Sequence, residues 1–252
     1  MGVLNFLSAI GFLTILPVPN SARTFDGKQV IYFPLVGLII GAMLWTVDWF
    51  FSCFAYAEIR IIGDVLFLAI ITGALHLDGL ADSADGLFSH RTREQILEIM
   101  KDSRIGVMGV LALIFCLLFK MGGIAEIKNP ISSLWFIIIP ALSRTAQVLG
   151  LTLIEHVKPE GALATNFYQK NNRLALLFCP VPLGLIFYLD VEMGAIALVV
   201  FFILISGLFY FYKKMIGGIT GDTLGATTEI VEAFFFVFAL SLIHISEPTR
   251  PY

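Results

Sequence analysis

The chain has 252 residues, of which 58% are hydrophobic and only 14% charged, with a formal net charge of −3 and a mean hydropathy of +0.89. A soluble domain carries about 45–50% apolar and about 25% charged residues, so this composition predicts a polytopic membrane protein. The small net charge and the lack of a basic run argue against a nucleic-acid partner.

The first apolar run, Val3 to Leu16, ends at Pro17-Val18-Pro19. It is short for a span and predicts a tilted, re-entrant or interfacial helix. Its start has no positive n-region and no small-residue cleavage site, so no removable signal peptide is expected. Longer apolar runs follow at 32–57, 60–75, 106–124, 131–154, 174–189, 194–212 and 229–245. Each approaches the ~20 residues that cross a bilayer. The expected fold is therefore all-α: one integral domain over 1–252, about seven transmembrane helices and the short N-terminal helix. Cys53, Cys116 and Cys179 each lie inside an apolar run without CxxC spacing, and read as small hydrophobes. Gly37 and Gly41 form a GxxxG step that predicts a close helix–helix contact.

After the run at 60–75 comes Ala74-Leu75-His76-Leu77-Asp78-Gly79-Leu80-Ala81-Asp82-Ser83-Ala84-Asp85-Gly86. In a helix, Asp78, Asp82 and Asp85 stand at i, i+4 and i+7, within roughly 60° of one another at about 100° per residue. Two unit charges about 5 Å apart repel by roughly 3 kcal/mol at an effective dielectric near 20. A divalent cation relieves such a stripe, and all-oxygen ligands suit Mg2+ or Mn2+. A solvated loop whose aspartates cap a helix needs only one of the three. His76 falls on the other side of an ideal helix. It is either an interfacial anchor or, if the chain bends at Gly79, a substrate contact.

Further on, Lys101-Asp102-Ser103-Arg104-Ile105-Gly106 leads into a span. As a helical i, i+3 pair, Lys101 and Arg104 share an edge and suit phosphate oxygens. The plainer alternative is an anchor at the membrane boundary. Arg144 lies inside a predicted span, where a charge needs a cavity or a partner; it either neutralises an anionic substrate or pairs with Asp48 or Asp64. Gly217-Gly218-Ile219-Thr220-Gly221-Asp222-Thr223-Leu224-Gly225 offers glycines, hydroxyls and a carboxylate to a phosphate, with Glu229 and Glu232 following to complement a helix dipole.

If the loops alternate sides, one side holds Arg23, Lys28, Arg91, Arg93, Lys101, Arg104, Lys158, Lys170, Arg173, Lys213 and Lys214, and the other only Arg60, Lys120, Lys128 and Arg250. The positive-inside rule makes the first side cytoplasmic, and both acidic motifs fall there.

These blocks, together with Leu13-Thr14-Ile15-Leu16-Pro17-Val18-Pro19 and Phe33-Pro34-Leu35-Val36-Gly37, resemble the cobalamin synthase family, the adenosylcobinamide-GDP ribazoletransferases. The resemblance runs from about residue 5 to 235 with the motifs in order. It implies a bacterial inner-membrane enzyme that joins adenosylcobinamide-GDP to α-ribazole, or its 5′-phosphate, and releases GMP. The partners implied are these small molecules and membrane lipid, with homo-oligomerisation left open. Carried onto this chain, it implies Mg2+ on Asp78, Asp82, Asp85 and Asp222. Asp82, Asp85 and His76 become the catalytic candidates. Lys101, Arg104, Gly106, Arg144, Thr220, Gly221 and Thr223 become the substrate contacts. The polar tail after Ala239 departs from the apolar ending expected of the family.

Two rivals remain. Membrane phosphatidyltransferases acting on CDP-activated lipids share clustered aspartates and glycines, but their Asp-Gly-x-x-Ala-Arg spacing is broken here, where Asp82 follows Ala81. A cation-coupled transporter would place its ionisable groups near the midplane on broken helices.

Overall fold

The computed structural model describes residues 2–23, 27–127, 133–157 and 173–246. Lys128, Lys158, Lys170, Arg250 and the tail after 246 lie outside them. Among the described residues the regular structure is helical: α1 (Gly2–Leu13), α2 (Phe33–Ser52), α3 (Ala57–Ile71), α4 (Leu75–Leu87), α5 (Arg93–Ile99), α6 (Val107–Ala125), α7 (Leu134–Leu153), α8 (Pro180–Leu189), α9 (Val191–Ile216) and α10 (Gly221–Ser246). Short 3-10 turns cover Asn20–Ala22, Lys28–Tyr32 and Arg173–Phe178.

The bundle is built around α7, buried at every residue from Ile138 to Leu151. A helix buried all round is a core helix. Its broadest partner is α2, and the GxxxG step makes this possible. A Cβ on Gly37 would stand 2.6 Å from Ala141 Cα, and one on Gly41 2.6 Å from Ile137 Cα. The two backbones therefore touch where any side chain would hold them apart.

Among the described residues, four helical segments are long and apolar enough to cross a membrane: Lys28–Ser52, α6, α7 and α9. A fifth is added if α3 and α4, bent by 88°, form one broken span. The apolar runs at 174–189 and 229–245 also form helices, outside these segments. The run at 174–189 becomes a 3-10 turn and a helix of 10 residues, which at about 1.5 Å per residue covers half a hydrocarbon core. The run at 229–245 belongs to α10, 26 residues long, whose first half carries Asp222, Glu229 and Glu232.

The bend between α3 and α4 positions the acidic segment. Gly73 and Ala74 take φ values of 59° and 57°. For an alanine the left-handed region costs about 1–2 kcal/mol. The amides still close α3, Gly73 donating to Ile70 O (2.9 Å) and Ala74 to Ala69 O (2.8 Å). The chain is thereby turned so that α4 packs on α10 and α6.

Candidate active site

Helix α4 is continuous through Gly79, so Asp78, Asp82 and Asp85 do share one face. Asp78 is exposed and Asp82 and Asp85 are half-buried, while Gly79, Leu80, Ala81, Ser83 and Ala84 are buried. The charged groups acting on Asp82 are Asp78, Asp222 and Asp85. Two motifs far apart in sequence thus meet. Their contact is direct: a Cβ on Gly79 would lie 2.8 Å from Asp222 O and 3.0 Å from Asp222 Cα.

Two helix N-termini point at this acidic face, and such ends carry unsatisfied N–H groups and partial positive charge. At α6 the vacancy is filled from within. Asp85 Oδ2 accepts from Gly106 N (2.6 Å) and Asp85 Oδ1 from Gly109 N (2.8 Å). Both glycines are needed, since a Cβ on Gly109 would meet Asp85 Oδ2 at 2.5 Å and one on Gly106 would collide with the same carboxylate. Gly106 therefore spends its N–H on Asp85.

At α10 the cap is a reciprocal pair. Thr220 N donates to Thr223 Oγ1 (2.8 Å) and Thr223 N to Thr220 Oγ1 (3.2 Å), the pattern of a capping box. Both threonines are buried, whereas Gly221 is exposed and has open space beside it. The loop before α10 is pinned to the end of α7: Ile219 N donates to Glu155 O (2.9 Å) and Val157 N to Ile219 O (2.9 Å). Gly217, at φ 86°, ends α9 by donating to Lys213 O, a C-cap position that favours glycine.

Three expected contacts lie elsewhere. His76 is 2% exposed, and its Nε2 is 3.0 Å from Gln147 Nε2 on α7. With no bend at Gly79, it stays off the carboxylate face. Arg144 is 1% exposed and pairs with Glu232. Its partner is not Asp48, which binds Arg60. Arg104 does not share a helix edge with Lys101, because α5 stops at Ile99. Its exposed guanidinium turns back onto Asp102, Nη2 to Oδ2 at 2.6 Å, and these hydrogen bonds hold the Asp102 carboxyl down at about 2. Lys101 is exposed in the turn after α5.

A buried ionic cluster behind the site was not anticipated. Lys120 Nζ on α6 donates to Glu229 Oε2 and Glu232 Oε2 on α10, each at 2.7 Å. Arg144 and Ser143 on α7 close it from the other side at Glu232 Oε1. The sequence signal was Lys120 inside an apolar run, with Glu229 and Glu232 one helical turn apart inside another.

Among the described residues no three His, Cys, Asp or Glu side chains converge as a ready-made metal cage. The donor set still fits Mg2+. That ion is usually held by one or two carboxylates, its remaining positions going to water and substrate phosphates, and Asp78, Asp82 and Asp222 are carboxylates acting on one another.

Fold and site together define an α-helical polytopic membrane protein with an acidic bay where α4 meets the starts of α6 and α10. The family model described as cobalamin-5-phosphate synthase matches residues 5–240. The adenosylcobinamide-GDP ribazoletransferase of Clostridium tetani (strain Massachusetts / E88) is 36% identical over 251 residues, covering 97% of this chain and 99% of the relative. The protein of that name from Klebsiella pneumoniae (strain 342) is 37% identical over 248 residues, covering 94% and 99%. No solved structure matches. The chain belongs to the cobalamin-5-phosphate synthase family, and with it to the transferases of cobalamin synthesis.

Proposed function

We propose that this protein transfers the phosphoadenosylcobinamide moiety of adenosylcobinamide-GDP to α-ribazole or its 5′-phosphate, with Mg2+, at the cytoplasmic face of a bacterial inner membrane. The observation that carries this reading is the meeting of Asp222 with the α4 aspartates through Gly79. An acidic bay suits an anionic diphosphate only with a cation between them, and a phosphoryl transfer needs alignment and charge neutralisation more than covalent help.

The bonds balance simply. A ribose hydroxyl oxygen attacks the phosphorus that bears cobinamide, the P–O bond to the GMP phosphate breaks, and the hydroxyl proton goes to a carboxylate. Asp82 suits that role better than Asp85. Both oxygens of the Asp85 carboxylate are already taken by the amides of Gly106 and Gly109 at the start of α6, whereas the Asp82 carboxylate holds neither α6 nor α10. Asp78 and Asp222 would then hold the magnesium, which supplies neutralisation of the phosphate oxygens and of the departing charge. Gly221, exposed at the start of α10, lets phosphate approach the backbone, and Lys101 takes remaining phosphate charge.

The test is purified protein in detergent with Mg2+, adenosylcobinamide-GDP and α-ribazole, scored for a new corrinoid and for GMP. Parallel arms use CDP-diacylglycerol, scored for CMP, and a chelator. Corrinoid product that is lost on chelation supports the proposal. CMP release without GMP release overturns it in favour of the phosphatidyltransferase reading. Turnover in detergent, with no membrane gradient, also sets transport aside.

A further inference from the structure

Behind α4, on the side away from the carboxylates, lies a cavity of about 670 Å3. Its floor is α10 and α4, and its walls are α6 and α9, two helices that both pack on α10 but barely touch each other. Apart from Ser83, Cys116 and Tyr212 its lining is hydrocarbon, with no charged group. Phe115 and Phe119, on the α6 wall, are each 55% exposed, and α6 is among the spanning segments. The slot therefore opens sideways, toward lipid.

Its dimensions and its end groups indicate an occupant. Along α10 it runs from Ala226 to Val237, about 16 Å at about 1.5 Å per residue. That is half of the ~30 Å hydrocarbon core, the depth of one leaflet. At the end nearer the acidic bay, α9 finishes with Lys213 and Lys214. Both are exposed, and Lys214 is one turn beyond Phe211, a lining residue. Neither lysine has a salt bridge among the described residues. Helix α5, packed on α9, brings Arg93 against Gly217.

We infer that this slot binds one acyl chain of an anionic phospholipid, whose headgroup is held at Lys213 and Lys214. A water-filled slot with this lining is unfavourable, and at this depth the available solvent is hydrocarbon. A reacting substrate is a poorer occupant. Leu80, Ala84 and Leu87 face the slot about 180° around α4 from the aspartates, at about 100° per residue, so the helix itself stands between the two sites. The bound chain is a strut: it fills the gap that would otherwise let α4 move off α10, the packing that keeps Gly79 against Asp222.

The experiment is native mass spectrometry of the full chain in detergent, titrated with phosphatidylglycerol, phosphatidylcholine or glycerol phosphate. Phosphatidylglycerol is expected to be retained at one per chain in preference to phosphatidylcholine, and glycerol phosphate, which lacks chains, is not retained. A basic residue at an anionic lipid surface is worth about fivefold in affinity. Lys213→Gln with Lys214→Gln should therefore weaken phosphatidylglycerol by about 30-fold and abolish the preference. Ala112→Trp, which fills the slot, should remove both lipids. If that variant does not fold, the exposed lysine pair carries the test. Equal retention of both lipids by the unmodified protein overturns the inference. So does undiminished retention after both lysines are replaced, and so does displacement of lipid by α-ribazole, which would assign the slot to substrate.

Discussion

Gly79→Ala is the most discriminating single change, because it adds one carbon at the contact between the two halves of the acidic bay. Its Cβ would sit 2.8 Å from Asp222 O and 3.0 Å from Asp222 Cα, where ordinary carbon contacts are about 3.5–4.0 Å. Both opposing atoms are backbone, so no side chain can swing aside, and α4 and α10 must separate by about 0.7 Å or more. Overpacking of this kind costs about 1–3 kcal/mol, while alanine in a helix interior returns about 1 kcal/mol relative to glycine. The protein should therefore remain folded, with a modest fall in thermal stability. Activity should suffer much more, since a misplacement near 1 Å costs about 100-fold in a reaction that depends on alignment. The assay is initial-rate GMP release by purified protein, with circular dichroism to verify helix content. Gly122→Ala is the internal control, because a Cβ there meets nothing within 4 Å; it should leave the rate unchanged. Unmodified turnover in Gly79→Ala would refute the idea that the Gly79–Asp222 contact sets the geometry of the reaction.

Three further changes follow from the same structure. Asp82→Asn should abolish GMP release without altering the unfolding temperature, since the Asp82 side chain makes none of the hydrogen bonds that hold α6 or α10; near-normal rates would remove it from the reaction. Asp85→Asn should act on stability, because the carboxylate receives two backbone N–H groups and hydrogen bonds to a charged group are worth about 1.5–3 kcal/mol; a thermal melt indistinguishable from the parent's would count against that. Lys120→Met leaves Glu229 without its cation and Glu232 with Arg144 alone, a loss of about 3–5 kcal/mol for a broken buried pair. Most of this protein should be lost in detergent extraction, and full recovery by size-exclusion chromatography would contradict it.

The parts legible in the sequence were those with a short repeat. The 3.6-residue period placed Asp78, Asp82 and Asp85 on one face, and the four-residue glycine step marked a close helix contact, whose partner the structure shows to be α7. What could not be read were contacts between distant segments. Glu232 is no nearer to Arg144 in sequence than other acids in apolar runs, and only the packing of α10 on α7 selects it. Hydropathy does not register backbone direction. The left-handed pair Gly73-Ala74 turns one apolar run by 88° into another helix, and the run at 174–189 starts its helix late, at Pro180. Spacing alone does not separate Asp85 from Asp82; the amides of Gly106 and Gly109, 21 and 24 residues further on, do.

The ionic cluster has a consequence for how the chain enters the bilayer. Lys120 arrives on α6 and Arg144 on α7, and neither meets its carboxylate partner until α10, the last helix described, has been made. A charge stranded in hydrocarbon costs at least about 2.5–3.5 kcal/mol. The earlier helices are consequently incomplete tenants of the membrane throughout synthesis, and the final one acts as the keystone that lets them settle. Chains cut short before Glu229 would carry two cations without their carboxylate partners.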